Sequence, residues 1–478
     1  MQRTVVVVGG GIAGLAVSYE LQERSARVPG GLDVICLEAS ERPGGNIRTS
    51  REEGFLCEWG PNGFLDNVPA TLDLVRRLGM ERRLLPSNVE AARRYLFRRG
   101  KLRKLPSGAA SFLTSDVLSF RGKLRVLLEP IGRRPRNGSR DESVWEFASR
   151  RIGQEAARLL VDAMVGGIYA GDVRQLSIRS TFPKLWKMEV EHGSLARAML
   201  ARRREVRPNG SKSGGPAGPG GRLTSFIDGL RELTDNLALA LGPSLKLGAL
   251  VRSIADMGVR GFRVYPIEGA PVDAAVVVLA CPAGCATRVV ETMDPEMCRA
   301  MTGIPSASLA VVHLGFAEVD LGSRPSGFGY LVPRGEGPRI LGTLWASSIF
   351  PMRAAEGKVL LTSMVGGAHD PEAPDLSDER LVDLVRSDLQ ATMGTTARPR
   401  YVRIFRHPRG IPQYTLGHHA RLATIDRRLD AHRGLLVCGN SYRGISLNSC
   451  VEEAARIADA AIALLGERVT RGQVTFSQ

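Results

Sequence analysis

Three glycines and one acid near the start of the chain carry its first readable chemistry. In Val5-Val6-Val7-Val8-Gly9-Gly10-Gly11-Ile12-Ala13-Gly14 an apolar run enters a glycine turn and leaves it as a helix. Gly9 permits the tight turn, Gly11 lets the backbone approach a pyrophosphate, and Gly14 lets the helix pack closely on the strand. The N–H groups at the helix start, with the positive end of its dipole, attract phosphates. Further on, Leu32-Asp33-Val34-Ile35-Cys36-Leu37 forms a second strand that ends in Glu38. A carboxylate there accepts hydrogen bonds from both hydroxyls of a ribose and repels a 2′-phosphate. The pattern predicts a dinucleotide site built on Gly9 to Gly14 (Gly10, Gly11, Ile12 and Ala13 included), Glu38 and Ala39.

The next residues select the dinucleotide. Arg42-Pro43-Gly44-Gly45-Asn46 brings a guanidinium and backbone amides to the same pyrophosphate, so Arg42, Gly45 and Asn46 are further cofactor candidates. Nicotinamide enzymes of this topology need no second phosphate clamp. Proteins that bury FAD in extended form do, and the stretch favours FAD. Gly60-Pro61-Asn62-Gly63 comes next as a glycine-rich turn. Near the other end, Leu435-Leu436-Val437 is a short apolar strand leading to Gly439-Asn440, then to Ile445-Ser446-Leu447 and a helical run. Such a helix start stabilises negative charge at the flavin's pyrimidine edge. The two ends of the chain are therefore expected to meet on one cofactor.

With these stretches in place, the chain resembles the oxygen-dependent protoporphyrinogen oxidases of the flavin amine oxidase superfamily. Gly9 to Gly14, Glu38 to Arg48 and Gly60-Pro61-Asn62 carry the likeness first. Gly167-Ile168-Tyr169-Ala170-Gly171-Asp172, Gly327-Phe328-Gly329, Gly410-Ile411-Pro412-Gln413-Tyr414 and Gly439-Asn440 keep the family's order along nearly the whole chain. The resemblance implies non-covalent FAD and oxidation of protoporphyrinogen IX to protoporphyrin IX. A hydride would leave a methylene bridge toward flavin N5 in each of three cycles, with O2 as acceptor and peroxide as by-product. It also implies roles. Arg94 falls on a propionate-binding arginine, Asn62 on a pocket residue near the flavin, and Gly167 on a backbone contact to the macrocycle. Leu331, Phe350 and Met364 fall in the substrate sheet, and the Val251 backbone meets the adenine. His407 departs from the family, which often has a larger aromatic beside the isoalloxazine.

Rival readings use the same scaffold. A coproporphyrinogen III oxidase has the same chemistry on a substrate with four carboxylates, and Arg94 with the Ile411 to Tyr414 context favours two propionates. An amine oxidase or carotenoid desaturase is a second rival. The amine oxidase would need an aromatic pair before the flavin, and aromatics make up 5% of the chain. A flavin-holding membrane scaffold without turnover is the third. No Ser-His-Asp order, metal-ligand cluster or P-loop is evident, so no side chain is assigned as catalytic and the chemistry falls to the flavin. His418-His419 is set aside as a metal pair, because adjacent side chains on a strand face opposite ways.

As for the elements that must position this chemistry, the 478 residues suffice for two to three domains, with 43% apolar residues and a net charge of +16. From Glu90 to Arg140, fourteen Lys/Arg face three acids, interleaved with Tyr95, Phe97, Phe112, Phe120, Leu124 and Leu127. A basic and amphipathic segment predicts contact with an anionic membrane surface rather than nucleic acid. No apolar run is long enough to span a bilayer. The first strand begins by Thr4, which leaves no room for a signal peptide. Seven cysteines without a CxxC pair read as reduced. Two Asn-Gly-Ser sequons, at Asn137 and Asn209, carry no weight in that setting. The expected location is cytoplasmic, peripheral to the cytoplasmic face of the cell membrane; monomer or homodimer stays open.

The fold class expected is α/β, with a Rossmann-like, glutathione-reductase-like FAD domain. An antiparallel substrate sheet and an α-helical membrane-binding insertion complete it. Residues 1–91, 222–284 and 406–467 are assigned to the FAD domain. A strand-free helical insertion spans 92–204, a flexible linker 205–221, the substrate domain 285–405, and a frayed tail 468–478. Strands of the parallel sheet are expected within Lys246 to Ile254, Ala274 to Leu279 and Leu435 to Val437.

Overall fold

The valines of Thr4–Val8 are buried on both faces of their strand, and such a strand needs cover on both sides. In this computed structural model, which describes residues 3–132, 141–204 and 221–475, that cover is complete. Thr4–Val8 lies in the middle of a five-stranded parallel sheet. Its order runs Leu245–Lys246, Asp33–Leu37, Thr4–Val8, Val276–Leu279, Leu435–Val437. The helix Ile12–Ser25 and the last helix, Leu447–Thr475, cover one face through Ala13, Ala16, Val17, Cys450, Ala454 and Ala458. On the other face lie Ala286, Val290, Met297, Met301 and Ile425, from helices Ala283–Val290, Pro295–Thr302 and His418–Ala431.

Three expected boundaries change here. Lys246 to Ile254 is two elements, because only Leu245–Lys246 joins the parallel sheet. Val251–Asp256 instead pairs antiparallel with Phe262–Pro266, in a separate sheet completed by Val272–Ala274. The first two helices after residue 282 pack on the parallel sheet rather than beside the second sheet. The tail expected to fray from 468 continues the last helix to Thr475. The 205–221 linker lies outside the described residues except for Gly221, as do residues 133–140 of the basic segment, both sequons, and 476–478.

The second large sheet has seven strands, in the order Tyr401–Pro412, Ser306–Ala317, Lys358–Gly366, Gly342–Leu344, Gly329–Leu331, Arg94–Arg98, Lys101–Lys104. Its pairs are antiparallel except Gly329–Leu331 with Arg94–Arg98. The strand-free reading of 92–204 therefore fails at its start, where Arg94–Arg98 and Lys101–Lys104 close one edge of this sheet. Tyr330, Val312, Val365 and Phe97 face Leu381, Val385 and Leu389 of the helix Asp378–Met393. On the opposite face Leu96 and Leu331 pack against Val117, Leu118 and Leu159 from the segments after residue 108.

Those segments include a run from Gln154 to Tyr169 whose middle, Ala157–Asp162, is wound as π-helix. A π-turn shifts the register of the helix beyond it by one residue and recurs at functional sites. Here it precedes Gly166-Gly167. Their framework is ionic as well as apolar. Buried Arg151 bonds Glu189 and the Gly193 carbonyl, and Glu129 accepts from Leu195 N–H at 2.9 Å and Ala196 N–H at 3.0 Å. Among the described residues no helix is long and apolar enough to cross a membrane.

Candidate active site

The first glycine turn is set as the sequence requires. Gly9 has φ +111°, and its N–H donates to the Leu37 carbonyl at 2.8 Å, which brings the turn beside the second strand. A methyl on Gly14 would overlap the Gly9 carbonyl oxygen. At Gly11 a Cβ would meet nothing within 4 Å. Gly11 is also the N-cap of Ile12–Ser25, and neither a side-chain cap nor an acid in the first turn satisfies that helix start. Glu38 stands across the turn, accepting from Gly10 N–H at 2.6 Å on Oε2 and from Ser40 N–H at 2.9 Å on Oε1. Its position is thereby fixed. The Ala249 N–H donates to the Glu38 carbonyl at 2.8 Å, so the segment leading into Val251 runs beside the acid, and Ala39 comes directly after it in the chain.

The second loop closes on the first. Gly11 bridges Gly44, and a Cβ on Gly45 would stand 3.3 Å from Gly11 Cα. Arg42 folds over this loop, donating to the Pro43 carbonyl at 3.1 Å and the Gly45 carbonyl at 2.9 Å. Sequence reasoning passed over Arg48 as a site residue. Its guanidinium lies 4.7 Å from the Trp59 ring centre, and burial pushes its pKa down. No carboxylate lies within ion-pair distance of it among the described residues. Gly60 comes after Trp59, and a Cβ there would approach the Asn46 carbonyl oxygen to 2.9 Å. Pro61 is exposed, Asn62 and Gly63 half-buried.

From the other end of the chain comes Gly439, φ +108°, where a Cβ would lie 3.6 Å from the Ala13 methyl. The structure thus brings the two glycine turns together. Gly439 N–H donates to Glu453 at 3.0 Å, and Ser446 Oγ accepts from Ser449 N–H at 3.1 Å, capping the last helix. Asn440 and Ile445 are half-buried and Leu447 is buried between them and the core. An open helix start, a fixed acid, an unpaired cation and the unpartnered buried Nε1 of Trp59 together fit a flavin dinucleotide laid from Glu38 past Gly11 and Gly45 toward Trp59 and Gly439.

The floor beside Trp59 is the face of the seven-stranded sheet that carries Phe405. Phe405 stacks on Trp59 with ring centres 4.2 Å apart, and His407, two residues on, donates Nε2–H to the Trp59 carbonyl at 2.7 Å. Burial lowers the His407 pKa, so the ring is neutral with Nδ1 free to accept. Cross-strand register then extends one row from Phe405 through Val311, Met364, Gly342 and Leu331 to Leu96. Opposed residues share a face, so Leu331 and Met364 stand on the same side with only Gly342 between them. Gly167 packs over this row; a Cβ there would come within 2.6 Å of Leu331 Cδ2.

Arg94 belongs to the next row, with Gly329 and Leu344. Its guanidinium is 4.9 Å from the Phe328 ring centre, and burial alone pulls its pKa down. Adjacent Arg93 is paired with Glu90 and Ser326. Arg94 has no carboxylate partner among the described residues. Phe350 is placed differently from expectation. It comes after the short helix Ala346–Ile349, off the sheet, fully buried under Arg353 at 5.1 Å from ring to guanidinium. It packs against Phe328 and Leu344. The reason for setting His418-His419 aside also changes. They open a helix rather than lie on a strand, and among the described residues no His/Cys/Asp/Glu group could hold a metal.

The fold and these two glycine turns are those of a flavin-dependent oxidoreductase. A family model described as flavin containing amine oxidoreductase matches residues 12–462. The chain is 34% identical to the protoporphyrinogen oxidase of Homo sapiens, over 98% of this chain and 99% of that one. It is 30% identical to the coproporphyrinogen III oxidase of Bacillus subtilis, over 96% and 98%. A crystal structure from Exiguobacterium, provisionally named a protoporphyrinogen oxidase, superposes with TM-score 0.80 at 26% identity and covers 97% of this chain and 99% of that one. The chain belongs to the flavin-containing amine oxidoreductases, in the branch that holds the porphyrinogen oxidases. It is an FAD oxidoreductase.

Proposed function

We propose that this protein oxidises protoporphyrinogen IX to protoporphyrin IX late in haem biosynthesis, with FAD held non-covalently in a glutathione-reductase-like domain. One observation carries the reading: a half-buried guanidinium, Arg94, with no carboxylate partner among the described residues, borders an apolar sheet face of half-buried Leu331 and Met364 with Gly342 between them. A porphyrinogen is flat and apolar with carboxylates at one side, and this face has the matching shape and charge. Bound FAD supplies the two-electron acceptor. Gly342 keeps the floor flat, Arg94 anchors a propionate, and Trp59, Phe405 and His407 exclude water from the edge next to the flavin. Three cycles remove six electrons and six protons, and three O2 leave as three H2O2.

Arg94→Ala is expected to raise KM for the porphyrinogen about ten- to a hundredfold, the worth of a charge-assisted hydrogen bond. FAD content should stay at the wild-type value; flavin loss in parallel would make Arg94 structural. The class of substrate is decided by anaerobic reduction of the yellow protein. Bleaching by protoporphyrinogen but not by amines supports the reading, and no bleaching by either overturns it. Coproporphyrinogen III is the second reading, supported by the Bacillus subtilis relative. Faster bleaching by coproporphyrinogen would establish it. Amine oxidation is disfavoured because Tyr442, the aromatic of the Gly439 turn, is buried against Met301 instead of facing the flavin.

The helices after residue 108 are read as a surface for an anionic bilayer, with the protein cytoplasmic and peripheral. Phe120 is 81% and Ile131 75% exposed, with Leu113, Leu124 and Leu127 also exposed, beside exposed Arg121. Burying one such side chain contributes about 1.5–3 kcal/mol. Phe120→Asp with Ile131→Asp should therefore reduce binding to phosphatidylserine vesicles at least about tenfold. Unchanged sedimentation with the vesicles would count against it. A homodimer would be seen as a doubled mass in light scattering.

A further inference from the structure

The strand Tyr401–Pro412 ends in two buried side chains that reach other segments. Gln413 donates Nε2–H to the Tyr169 carbonyl at 2.7 Å, at the end of the helix that carries Gly167. Tyr414 turns the other way and donates its hydroxyl to the Asn440 carbonyl at 2.6 Å. Its ring stacks on His418, centres 4.2 Å apart and planes 18° from parallel. His418 in turn donates Nε2–H to the Tyr442 carbonyl at 3.0 Å. Two stacked rings thus hold two carbonyls of one turn, on residues two apart. Both rings are 1% exposed.

We infer that Tyr414 and His418 act together as positioning residues that set the Gly439–Gly444 turn, and with it the start of the last helix, against the flavin. Both rings are buried and bonded to backbone carbonyls, so they act through the turn and not on a substrate. Glu453 holds the Gly439 N–H and Ser441 accepts from Ala283 N–H, and the stacked pair adds a donor to each of two carbonyls on the other side of the turn. The ring of His418 is neutral, since burial lowers its pKa to about 4. Among the described residues its Nδ1 has no partner, so Nε2–H is the ring's hydrogen-bond link to the turn. The inference rests on the flavin lying over Gly439 to Leu447, but not on the identity of the substrate.

The test uses full-length holoprotein. Tyr414→Phe keeps the stack and removes the donor; His418→Phe does the same on the other side. Each is expected to weaken FAD about fivefold, the value of one hydrogen bond. Each should also shift the flavin midpoint potential and visible maximum, with KM for the porphyrinogen unchanged. The double variant should lose less than the product of the two, since both act through one turn. His418→Gln, which restores a donor, should recover FAD affinity relative to His418→Phe, and this comparison decides the matter if Tyr414→Phe does not fold. Variants that are less stable to heat yet bind FAD with wild-type affinity, potential and spectrum would overturn the inference. A wild-type protein that binds FAD but oxidises no porphyrinogen would overturn the proposed substrate and leave this inference standing.

Discussion

Gly11→Ala is expected to give a protein as stable as the wild type that retains almost no FAD. The backbone at Gly11 has φ −73°, which any residue adopts, and the added methyl would meet no protein atom within 4 Å. The fold therefore does not register the change. The cofactor does, because the methyl occupies the approach to the uncapped N–H groups of Ile12–Ser25, where the pyrophosphate is read to lie. Overpacking of this kind costs about 1–3 kcal/mol, so affinity should fall roughly ten- to a hundredfold. The FAD-to-protein ratio after desalting, set beside the thermal midpoint of the flavin-free protein, measures both halves. Retained FAD would place the pyrophosphate elsewhere. Gly14→Ala serves as the contrast, since its methyl overlaps the Gly9 carbonyl oxygen and should cost stability as well.

Arg353→Met should produce the largest loss of stability of any single change considered. Arg353 and Glu58 are each 2% exposed and 2.9 Å apart, and burial pushes the Glu58 pKa up and the Arg353 pKa down. Removing solvent thus outweighs the mutual attraction as the largest influence on each group, which is the usual balance for a buried pair. The pair still matters once built. Glu58 also accepts from Leu230 N–H at 2.8 Å and Thr49 at 2.6 Å, and Arg353 donates to Ser225 at 2.7 Å. Loss of the arginine leaves a carboxylate buried without its counter-charge, at a cost of about 3–5 kcal/mol. Urea unfolding should show that shift. Adding Glu58→Gln, which removes the charge, keeps an acceptor for Leu230 N–H and turns its amide NH2 toward the Thr49 hydroxyl oxygen, should recover most of it. No recovery would mean that the loss arises from packing against Phe350.

How much the sequence disclosed depends on the distance over which each feature is written. The Gly9 turn, Glu38 and the Gly45 loop are legible because each is a local pattern with a steric reason in its own few residues. Arg94 was legible only by resemblance. Its strand, Arg-Tyr-Leu-Phe-Arg, is short, charged at both ends and paired with Gly329–Leu331, and nothing near residue 94 announces that partner. The same blindness hid the Glu58–Arg353 pair, whose members are 295 residues apart. Phe350 was expected in the sheet by resemblance, and nothing in its own residues announces the short helix Ala346–Ile349 that carries it off the sheet. Tyr414 was quoted as part of a motif and assigned no role, since its hydroxyl finds Asn440 only through the fold.

The strand order of the parallel sheet has a consequence in time. Thr4–Val8 pairs on one side with Asp33–Leu37 and on the other with Val276–Leu279, and Leu435–Val437 comes later still. During synthesis at roughly 5–20 residues per second, the first strand waits with one edge bare for on the order of 10 to 60 seconds. FAD waits longer, because Gly439 and the last helix are made only after Leu435–Val437. The nascent chain therefore passes most of its birth as a sheet fragment that neither cofactor nor neighbour can protect. Folding yield in the cell should depend on what shields that edge, and much less on how much FAD is present before the chain is finished.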